Sequence, residues 1–174
     1  MTAEVVPTPS SARTSAASPV DVDLSRASAQ LLCRFAHQLL ALPIEYVIEI
    51  MRPLAVEPIA GAPAYVRGVC VIRGTPVPVV DVGLLTGNRQ TQSARLVTVR
   101  AGSHTVALQV GSIVGIKPLD VGTFKELPPL LRDLATETIA SIGTLDSELL
   151  LTLEVARIVP DGVFSSLEQA RAPS

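Results

Sequence analysis

Short apolar stretches rich in Val, Ile and Leu recur through the middle of the chain, and Gly, Pro, Asp or Ser separate them at intervals that suit β-strands. The pattern is clearest in 103–110, where Val106, Leu108 and Val110 alternate with smaller or more polar residues. Because successive side chains of a strand point to opposite faces, this alternation predicts a strand with one buried face. Helical periodicity is poor by comparison, so the pattern predicts an all-β domain.

Turn-forming residues between these stretches predict β-hairpins. The clearest hairpin pairs 96–100 with 103–110 around Ala101 and Gly102, because glycine provides the backbone freedom that a tight turn demands. Three further hairpins are predicted around His37-Gln38, Gly74-Thr75 and Asp146-Ser147. Short helical turns are expected after Pro43, after Asp81 and before Pro160.

The composition changes at both ends of the chain. Ten of the first nineteen residues are Ser, Thr or Pro, and such a segment cannot bury enough apolar surface to offset its ordering entropy. We therefore predict a disordered tail over 1–28, a folded domain over 29–160 and a short C-terminal tail or helix over 161–174. Ser165 followed by Glu168 fits the capped start of such a helix. The many strand edges require a barrel, a pair of small barrels or a sandwich.

Charge and hydropathy narrow the classes of function. Sixteen acidic and fourteen basic residues give a net charge of −2, and a chain without Trp and with only five Phe and Tyr offers few stacking platforms, so no nucleic-acid partner is expected. The mean hydropathy is high, at +0.44. However, the longest stretch without charged residues, 101–116, is too short to span a bilayer, so no direct membrane insertion is expected. No secretion signal is visible, which predicts a cytoplasmic protein.

Residues that could carry chemistry are scattered. His37 and His104 fall at predicted hairpin turns without a nucleophile motif nearby, and Cys33 and Cys70 lie far apart in apolar surroundings that are typical of small buried hydrophobes. No spacing of Cys or His suits a metal site, and no glycine-rich phosphate loop is present. We predict a protein that is not an enzyme and needs no cofactor. A small β-barrel enzyme or ligand binder that uses His104 or a pair of carboxylates is the alternative from a different class.

The most informative stretch is 66–82, which reads V-R-G-V-C-V-I-R-G-T-P-V-P-V-V-D-V. In it, Arg67-Gly68 and Arg73-Gly74 bracket one strand and a second strand follows. Arginine presents a forked, permanently charged donor that is frequent at interfaces, but solvated arginines on an ordinary hairpin explain the pattern equally well. Because proline cannot donate to a ladder, Pro76 and Pro78 predict an edge strand or a sharp bend at a barrel corner.

Apolar and acidic residues are mixed just before this stretch. Ile44, Tyr46-Val47 and Glu49-Ile50 follow Pro43 closely, and a hydrophobic anchor beside a charge suits a partner-binding groove. A core helix with one solvated glutamate is the simpler alternative.

Together these stretches resemble the CheW-like family of chemotaxis coupling proteins, whose pattern couples V-x-E-I to V-R-G-x-x-x-x-R-G-x-x-x-P-V-x-D-L. The matching segments are 33–35, 40–44, 47–50, Pro63, 66–68, 73–74 and 78–82, followed by 106–110, 113–116, 142–145 and 149–153. The resemblance covers roughly residues 30–160. It implies two interlocked SH3-like β-barrels of five strands each, with short helical segments, joined across a hydrophobic interface that leaves a groove.

The resemblance also implies a function without catalysis. Family members bind the cytoplasmic hairpin tip of a chemoreceptor through the groove and the regulatory domain of a CheA-type histidine kinase through the barrel ends, as part of membrane-bound receptor arrays. Carried over by position, the implied partner-binding residues are Ile44, Val47, Glu49, Arg67, Gly68, Arg73, Gly74, Ile113 and Ile116. In this set Arg73 matches the functionally central arginine, and Gly68 matches its supporting turn.

Two points stay open within this resemblance. A CheW-like scaffold of another sensory or motility pathway, such as pilus or gliding motility, that does not bind a kinase fits the same residues. In addition, Gly111 follows Val110 where the family has an aspartate. The missing carboxylate is expected to alter the turn geometry or the preference for partners, while the neighbouring apolar positions are retained.

Overall fold

The computed structural model describes residues 27–92, 94–126 and 138–171 and shows a β-rich domain. Its strands are β1 (Ala27–Phe35), β2 (Gln38–Pro43), β3 (Val47–Met51), β4 (Val66–Ile72), β5 (Thr75–Asp81), β6 (Arg95–Ala101), β7 (His104–Val110), β8 (Ser112–Asp120), β9 (Phe124–Glu126), β10 (Ile139–Leu145) and β11 (Glu148–Leu153). The helices are α1 (Val82–Leu85) and α2 (Asp161–Arg171), and 3-10 turns occupy Ile44–Tyr46, Val121–Thr123 and Val155–Arg157. All but the last two residues of the predicted N-terminal tail lie outside the described part.

The strands form two sheets that exchange segments of the chain. A six-stranded sheet has the order β8-β1-β2-β11-β10-β9, and a five-stranded sheet has the order β3-β6-β7-β5-β4. The chain therefore leaves the first sheet after β2, builds the second sheet and returns at β8. In each sheet one parallel pair, β2 with β11 and β5 with β7, joins strands that hairpins do not connect.

The buried apolar side chains form three clusters, and one of them holds the two sheets together. One cluster belongs to the six-stranded sheet and is centred on Leu32 and Leu150, and another belongs to the five-stranded sheet and is centred on Cys70 and Leu96. The largest cluster contains residues of both sheets, and we call it the shared core. Its members include Leu31, Cys33, Leu42, Val80, Val97, Val99, Leu108, Val163 and Phe164. The predicted pair of interlocked SH3-like units is confirmed, with six strands in one sheet where five were expected.

The predicted hairpins and helical turns are all present. The β4–β5 turn has positive φ at Arg73 and Gly74 (51° and 80°), and the β10–β11 turn has positive φ at Asp146 and Ser147 (49° and 70°). Gly102 has φ 62° in the β6–β7 turn. The 3-10 turn Ile44–Tyr46, helix α1 and the 3-10 turn Val155–Arg157 occupy the three places where helical turns were expected.

As a whole β5 is not an edge strand, because it lies between β4 and β7, but the half that carries Pro76 and Pro78 is paired with β4 alone. The parallel pairing with β7 begins only at Val79, whereas Pro76 and Pro78 lie in the preceding half of the strand. Proline is tolerated there because the side of β5 that faces away from β4 has no ladder to interrupt.

Helix α2 begins at Asp161, four residues before the predicted start at Ser165. The Ser165 hydroxyl instead donates to the carbonyl of Asp161 within the helix, at 3.1 Å. Val163 and Phe164 are buried in the shared core. The Phe164 ring also stacks on His104, with ring centroids 4.0 Å apart. The helix is thus attached to the folded domain by apolar packing.

Asp81 is a fully buried carboxylate that organises the end of β5. Its oxygens accept hydrogen bonds from the backbone N–H groups of Leu84 and Thr91 and from the Thr91 hydroxyl, at 2.7 to 3.2 Å. The bond from Leu84 caps helix α1, which is a preferred use of aspartate at a helix start. Asp81 therefore ties two stretches of chain that are ten residues apart to one point.

Gly111 lies where the chain crosses from one sheet to the other. Its N–H donates to the carbonyl of Arg34 on β1 at 2.8 Å. A β-carbon at this position would lie 3.0 Å from the same carbonyl oxygen, which is closer than side chains usually approach. The small residue thus allows β7 and β8 to meet β1 closely at this crossing.

Candidate partner-binding surface

Two of the predicted site residues form a direct ion pair. A guanidinium nitrogen of Arg73, in the β4–β5 turn, lies 2.7 Å from a carboxylate oxygen of Glu49 on β3. The side chain of Arg73 is 82% exposed and that of Glu49 is 27% exposed. Thr98 fixes the backbone of Glu49, since its hydroxyl accepts from the N–H and donates to the carbonyl. The pair joins an edge strand at one end of the five-stranded sheet to the hairpin at its other end.

Strand β3 also places apolar side chains on the side that faces the shared core. Val47 lies opposite Val99 and Ile50 lies opposite Val97, and both partners are buried in that core. Val47 is half-buried against the core, whereas Ile50 is 43% exposed. The edge of the five-stranded sheet therefore continues the shared core outward into an accessible apolar surface.

Strand β8, at the edge of the six-stranded sheet, also places apolar side chains on the side that faces the shared core. Ile113 lies opposite Cys33 and Ile116 lies opposite Leu31, and both partners again belong to the shared core. Ile113 packs partly against that core, and Ile116 is 61% exposed. An exposed apolar side chain at a sheet edge is a frequent feature of interaction surfaces.

The 3-10 turn Ile44–Tyr46 lies against both sheets. It contacts β1, the neighbour of β8, and β6, the neighbour of β3. The turn therefore bridges the two sheets. We define the apolar strip as Ile44, Val47, Ile50, Ile113 and Ile116. Apolar residues that flank a bridge between two sheets suit the apolar face of an amphipathic helix.

Arg67 and Gly68 lie elsewhere. The structure places Gly68 in β4, five residues before Arg73, and not in the turn that carries Arg73; Gly74 occupies that turn. Gly68 has φ 140°, and a β-carbon there would lie 2.0 Å from the carbonyl oxygen of Glu57. Two backbone hydrogen bonds of 2.8 Å between Glu57 and Val69 hold this close approach. The predicted set thus separates into the Glu49–Arg73 region and a second region at the start of β4.

A second ion pair lies in the six-stranded sheet, between β1 and β11. Arg34 on β1 donates two hydrogen bonds, of 2.5 and 2.9 Å, to the carboxylate of Glu148 at the start of β11. The hydrogen bond from Arg34 lowers the pKa of Glu148, and the same bond raises the pKa of Arg34. The pair ties β1 to the β10–β11 hairpin.

Among the described residues, little suggests catalysis or metal binding. His37 is exposed in the β1–β2 turn, and His104 stacks on Phe164. Burial raises the pKa of the Cys33 thiol to about 12 and also raises that of Cys70, so both remain protonated and unreactive. Within the described ranges, no group of three or more His, Cys, Asp or Glu could hold a metal ion. None of the helices in this part is long and apolar enough to cross a membrane.

Comparison with known proteins identifies the family to which the chain belongs. The model of the CheW-like domain matches residues 30–162, which is most of the chain. The chain belongs to the CheW-like family. The family consists of non-catalytic scaffolding domains, and the chain is accordingly not an enzyme.

Individual relatives are distant. The chemotaxis protein CheW of Klebsiella aerogenes is 22% identical over 104 residues, which are 58% of this chain and 63% of that protein. The chain thus spans less than two thirds of the length of this curated relative. The crystal structure of the scaffolding protein TtCheW from Thermoanaerobacter tengcongensis is similar with a TM-score of 0.63 at 21% identity, covering 73% of this chain and 88% of that one. This likeness supports the fold.

The sequence places Ile50 in the apolar and acidic stretch after Pro43, but Ile50 was not among the predicted partner-binding residues. A strand without irregularity would place Val47 and Ile50 on opposite faces, because side chains alternate. The register shifts between Val47 and Glu49, which makes Ile48 an extra residue and returns Ile50 to the face of Val47. No local pattern announces such a shift, although the apolar character of 47–50 is visible in the sequence.

Proposed function

We propose that this protein is a chemotaxis adaptor that couples methyl-accepting chemoreceptors to a CheA-type histidine kinase in the cytoplasm, in membrane-bound receptor arrays. The observations that carry the proposal are the exposed Arg73–Glu49 pair and the exposed apolar side chains on β3 and β8, the strands next to the contacts of the 3-10 turn with both sheets. Membership of the CheW-like family and the name of the Klebsiella aerogenes relative support it.

The receptor tip is the proposed occupant of the apolar strip. A helical hairpin presents apolar side chains at intervals of three or four residues, and such a ridge lies well against a shallow apolar channel. Ile50 and Ile116 are the most exposed members of the strip, at 43% and 61%, and have the most surface to bury. Their burial supplies the hydrophobic part of the affinity.

The kinase regulatory domain is the proposed partner of the barrel end that carries the β4–β5 hairpin. Arg73 keeps most of its surface exposed although it is paired, so its remaining N–H donors are available to a second protein. Charge-assisted hydrogen bonds of this kind set orientation and specificity more than affinity. Modest contacts then become strong in an array, because each bound component raises the effective concentration of the next.

Calorimetric titration tests the proposal with two ligands, a receptor cytoplasmic fragment and the kinase regulatory domain of the same organism. We expect Arg73→Glu to weaken kinase binding by at least about tenfold, equivalent to about 1.4 kcal/mol. The melting temperature should hardly change, because exposed ion pairs contribute little to stability. Arg100→Glu is the matched control, since Arg100 is also exposed but lies on β6.

Two further variants separate the surfaces. Ile116→Asp should reduce binding of the receptor fragment and leave kinase binding intact. The double variant Glu49→Arg with Arg73→Glu reverses the pair while keeping its attraction. Restored kinase binding would mean that the pair acts by fixing β3 to the hairpin, and continued loss would mean that the kinase reads the charge of Arg73 directly. Failure of the wild-type protein to bind either ligand would contradict the proposal and favour a scaffold of another motility pathway.

A further inference from the structure

Arg67 occupies a specially built position at the start of β4. The pairing of β4 with β5 shifts between Val66 and Gly68, so Arg67 is the extra residue of a β-bulge. Bulges redirect a side chain relative to the regular strand. The close approach of Glu57 to Gly68 and the two hydrogen bonds between Glu57 and Val69 hold this bulge from the outside.

The redirected side chain lines a surface concavity of about 550 Å³. Gln90, Gln92 and Gln109 line the same concavity, and Val56 and Pro58 add apolar lining. Three amide groups beside one guanidinium place many N–H donors in a small region. Such a set of donors suits an oxygen-rich, negatively charged ligand group.

The concavity is anchored to the interior of the protein. Thr91, between two of the glutamines, gives both its backbone N–H and its hydroxyl to the buried Asp81, at 2.7 to 3.1 Å. The same hydroxyl accepts from the N–H of Gly83 at 3.0 Å. Because Thr91 is fixed in this way, the backbone that carries Gln90 and Gln92 is held in place beside Arg67.

Arg67 differs from Arg73 in its partners. Arg73 already pairs with Glu49, whereas no carboxylate of the described residues lies within ion-pair distance of the Arg67 guanidinium. Arg67 is the one charged side chain among the described residues that line the concavity. Arg73 comes six positions after Arg67 along an extended chain, a distance of about 20 Å, so one small contact does not reach both.

We propose that this concavity, the Arg67 pocket, binds a carboxylate side chain from an acidic segment of a partner protein. The guanidinium takes the carboxylate through two parallel N–H donors, the glutamine amides satisfy its remaining lone pairs, and the wall of Val56 and Pro58 covers the aliphatic stem. If the proposed function holds, the segment belongs to the receptor or the kinase, and its contact is separate from the one at Arg73.

The test uses the full chain, labelled with nitrogen-15, and a short acidic probe, the capped tripeptide acetyl-Glu-Leu-Glu-amide. We expect saturable shifts of the side-chain amide resonances of Gln90, Gln92 and Gln109, with a dissociation constant in the millimolar range, as befits one small contact. The neutral tripeptide acetyl-Gln-Leu-Gln-amide should produce no saturable shift. Arg67→Gln should abolish the effect of the acidic probe, and the matched Arg73→Gln should preserve it.

Arg67→Lys is a second test, in a variant that keeps the positive charge. Since lysine cannot offer the planar fork, we expect weaker but measurable binding of the acidic probe. Absence of a saturable shift in the wild-type protein, equal shifts with the neutral probe, or unchanged shifts in Arg67→Gln would each overturn the inference. Binding of the probe by a protein that binds neither receptor fragment nor kinase domain would refute the proposed function and leave the pocket standing.

Discussion

Single residues of the Arg-Gly and Pro-Val-x-Asp stretch have distinct tasks. Arg73 is exposed and pairs with Glu49 at the surface, Asp81 is fully buried and organises the end of β5, and Gly68 allows two backbones to approach. One continuous motif thus combines a surface charge with two internal constraints. Substitutions within it should therefore separate into those that change binding and those that change stability.

Asp81→Ala should destabilise the fold strongly. The change leaves buried N–H and hydroxyl donors of Leu84 and Thr91 without acceptors, and each unsatisfied buried group costs about 1 to 3 kcal/mol. We expect a loss of at least about 3 kcal/mol in the free energy of unfolding, measured by urea denaturation. Glu45→Ala, at an exposed site in a 3-10 turn, serves as the control and should change the value little. An equal, small effect of both substitutions would contradict the structural task of Asp81.

The Arg34–Glu148 pair should make stability depend on pH in a specific direction. Because the pKa of Glu148 is lowered in the folded protein, its pairing stabilises the fold above the unfolded pKa and is lost as the pH falls through the folded pKa. The difference in melting temperature between the wild-type protein and Glu148→Gln should therefore be present at neutral pH, shrink as the pH falls below the ordinary Glu pKa of about 4.3, and vanish below the lowered pKa of the folded protein. A difference that stayed constant over this range would show that the ion pair is not its source.

Among the elements, β4 links the two surfaces of the molecule. One end of the strand carries the bulge with Arg67, and the other end leads to the turn with Arg73. The segment around Glu57 supports the first end, and the pairing with Glu49 on β3 fixes the second. Displacement of β4 would therefore disturb both proposed contacts at once.

Gly68→Ala tests the close approach that holds the bulge. The new methyl group would meet the carbonyl oxygen of Glu57 at 2.0 Å, and the backbone has φ 140°, which disfavours a side chain. We expect the free energy of unfolding to fall by about 3 kcal/mol or more, from strain added to the displaced backbone. Gly61→Ala is the matched control, because it has φ 76° and open space around the glycine, and should cost only about 1 kcal/mol. Similar costs for both variants would refute the close-approach argument.

At the scale of the whole molecule, stability comes from the shared core between interlocked sheets. Residues of β1 and β2 pack there against residues of β5, β6 and β7, and helix α2 adds Val163 and Phe164. Neither sheet can separate from the other without exposing this cluster to water. The strands before β3 and after β7 therefore fold as one unit with the strands between them.

Deletion of residues 1–26 tests where this unit begins. The segment precedes β1, and its composition of Ser, Thr, Pro and Ala predicts that it adds no buried apolar surface. We expect the shortened protein to keep the melting temperature of the full chain in calorimetry. Deletion of residues 1–33 is the contrasting variant, because it also removes Leu31, Leu32 and Cys33 from the cores, and it should abolish cooperative unfolding. A large drop after the shorter deletion would move the start of the domain.

The sequence predicts the local features of this fold better than the distant ones. The hairpins around Gly74 and Gly102 depend on residues next to each other, and these were foreseen from turn chemistry. The register shifts that make Ile48, Arg67 and Val114 extra residues depend on partner strands far away in the chain. The residues Glu49 and Arg73 were predicted as site residues from the family pattern. The pocket around Arg67 and the side of β3 on which Ile50 lies depend on strand pairing, so only the folded structure shows them.

The measurement that tests the central claim most directly is a bridging experiment. Receptor cytoplasmic fragments are immobilised, and retention of the kinase regulatory domain is measured with and without this protein. The account predicts that the regulatory domain is retained only when wild-type protein is added, and that Arg73→Glu and Ile116→Asp each abolish retention while Arg100→Glu does not. Equal retention without the protein, or none with it, would contradict its assignment as a coupling adaptor.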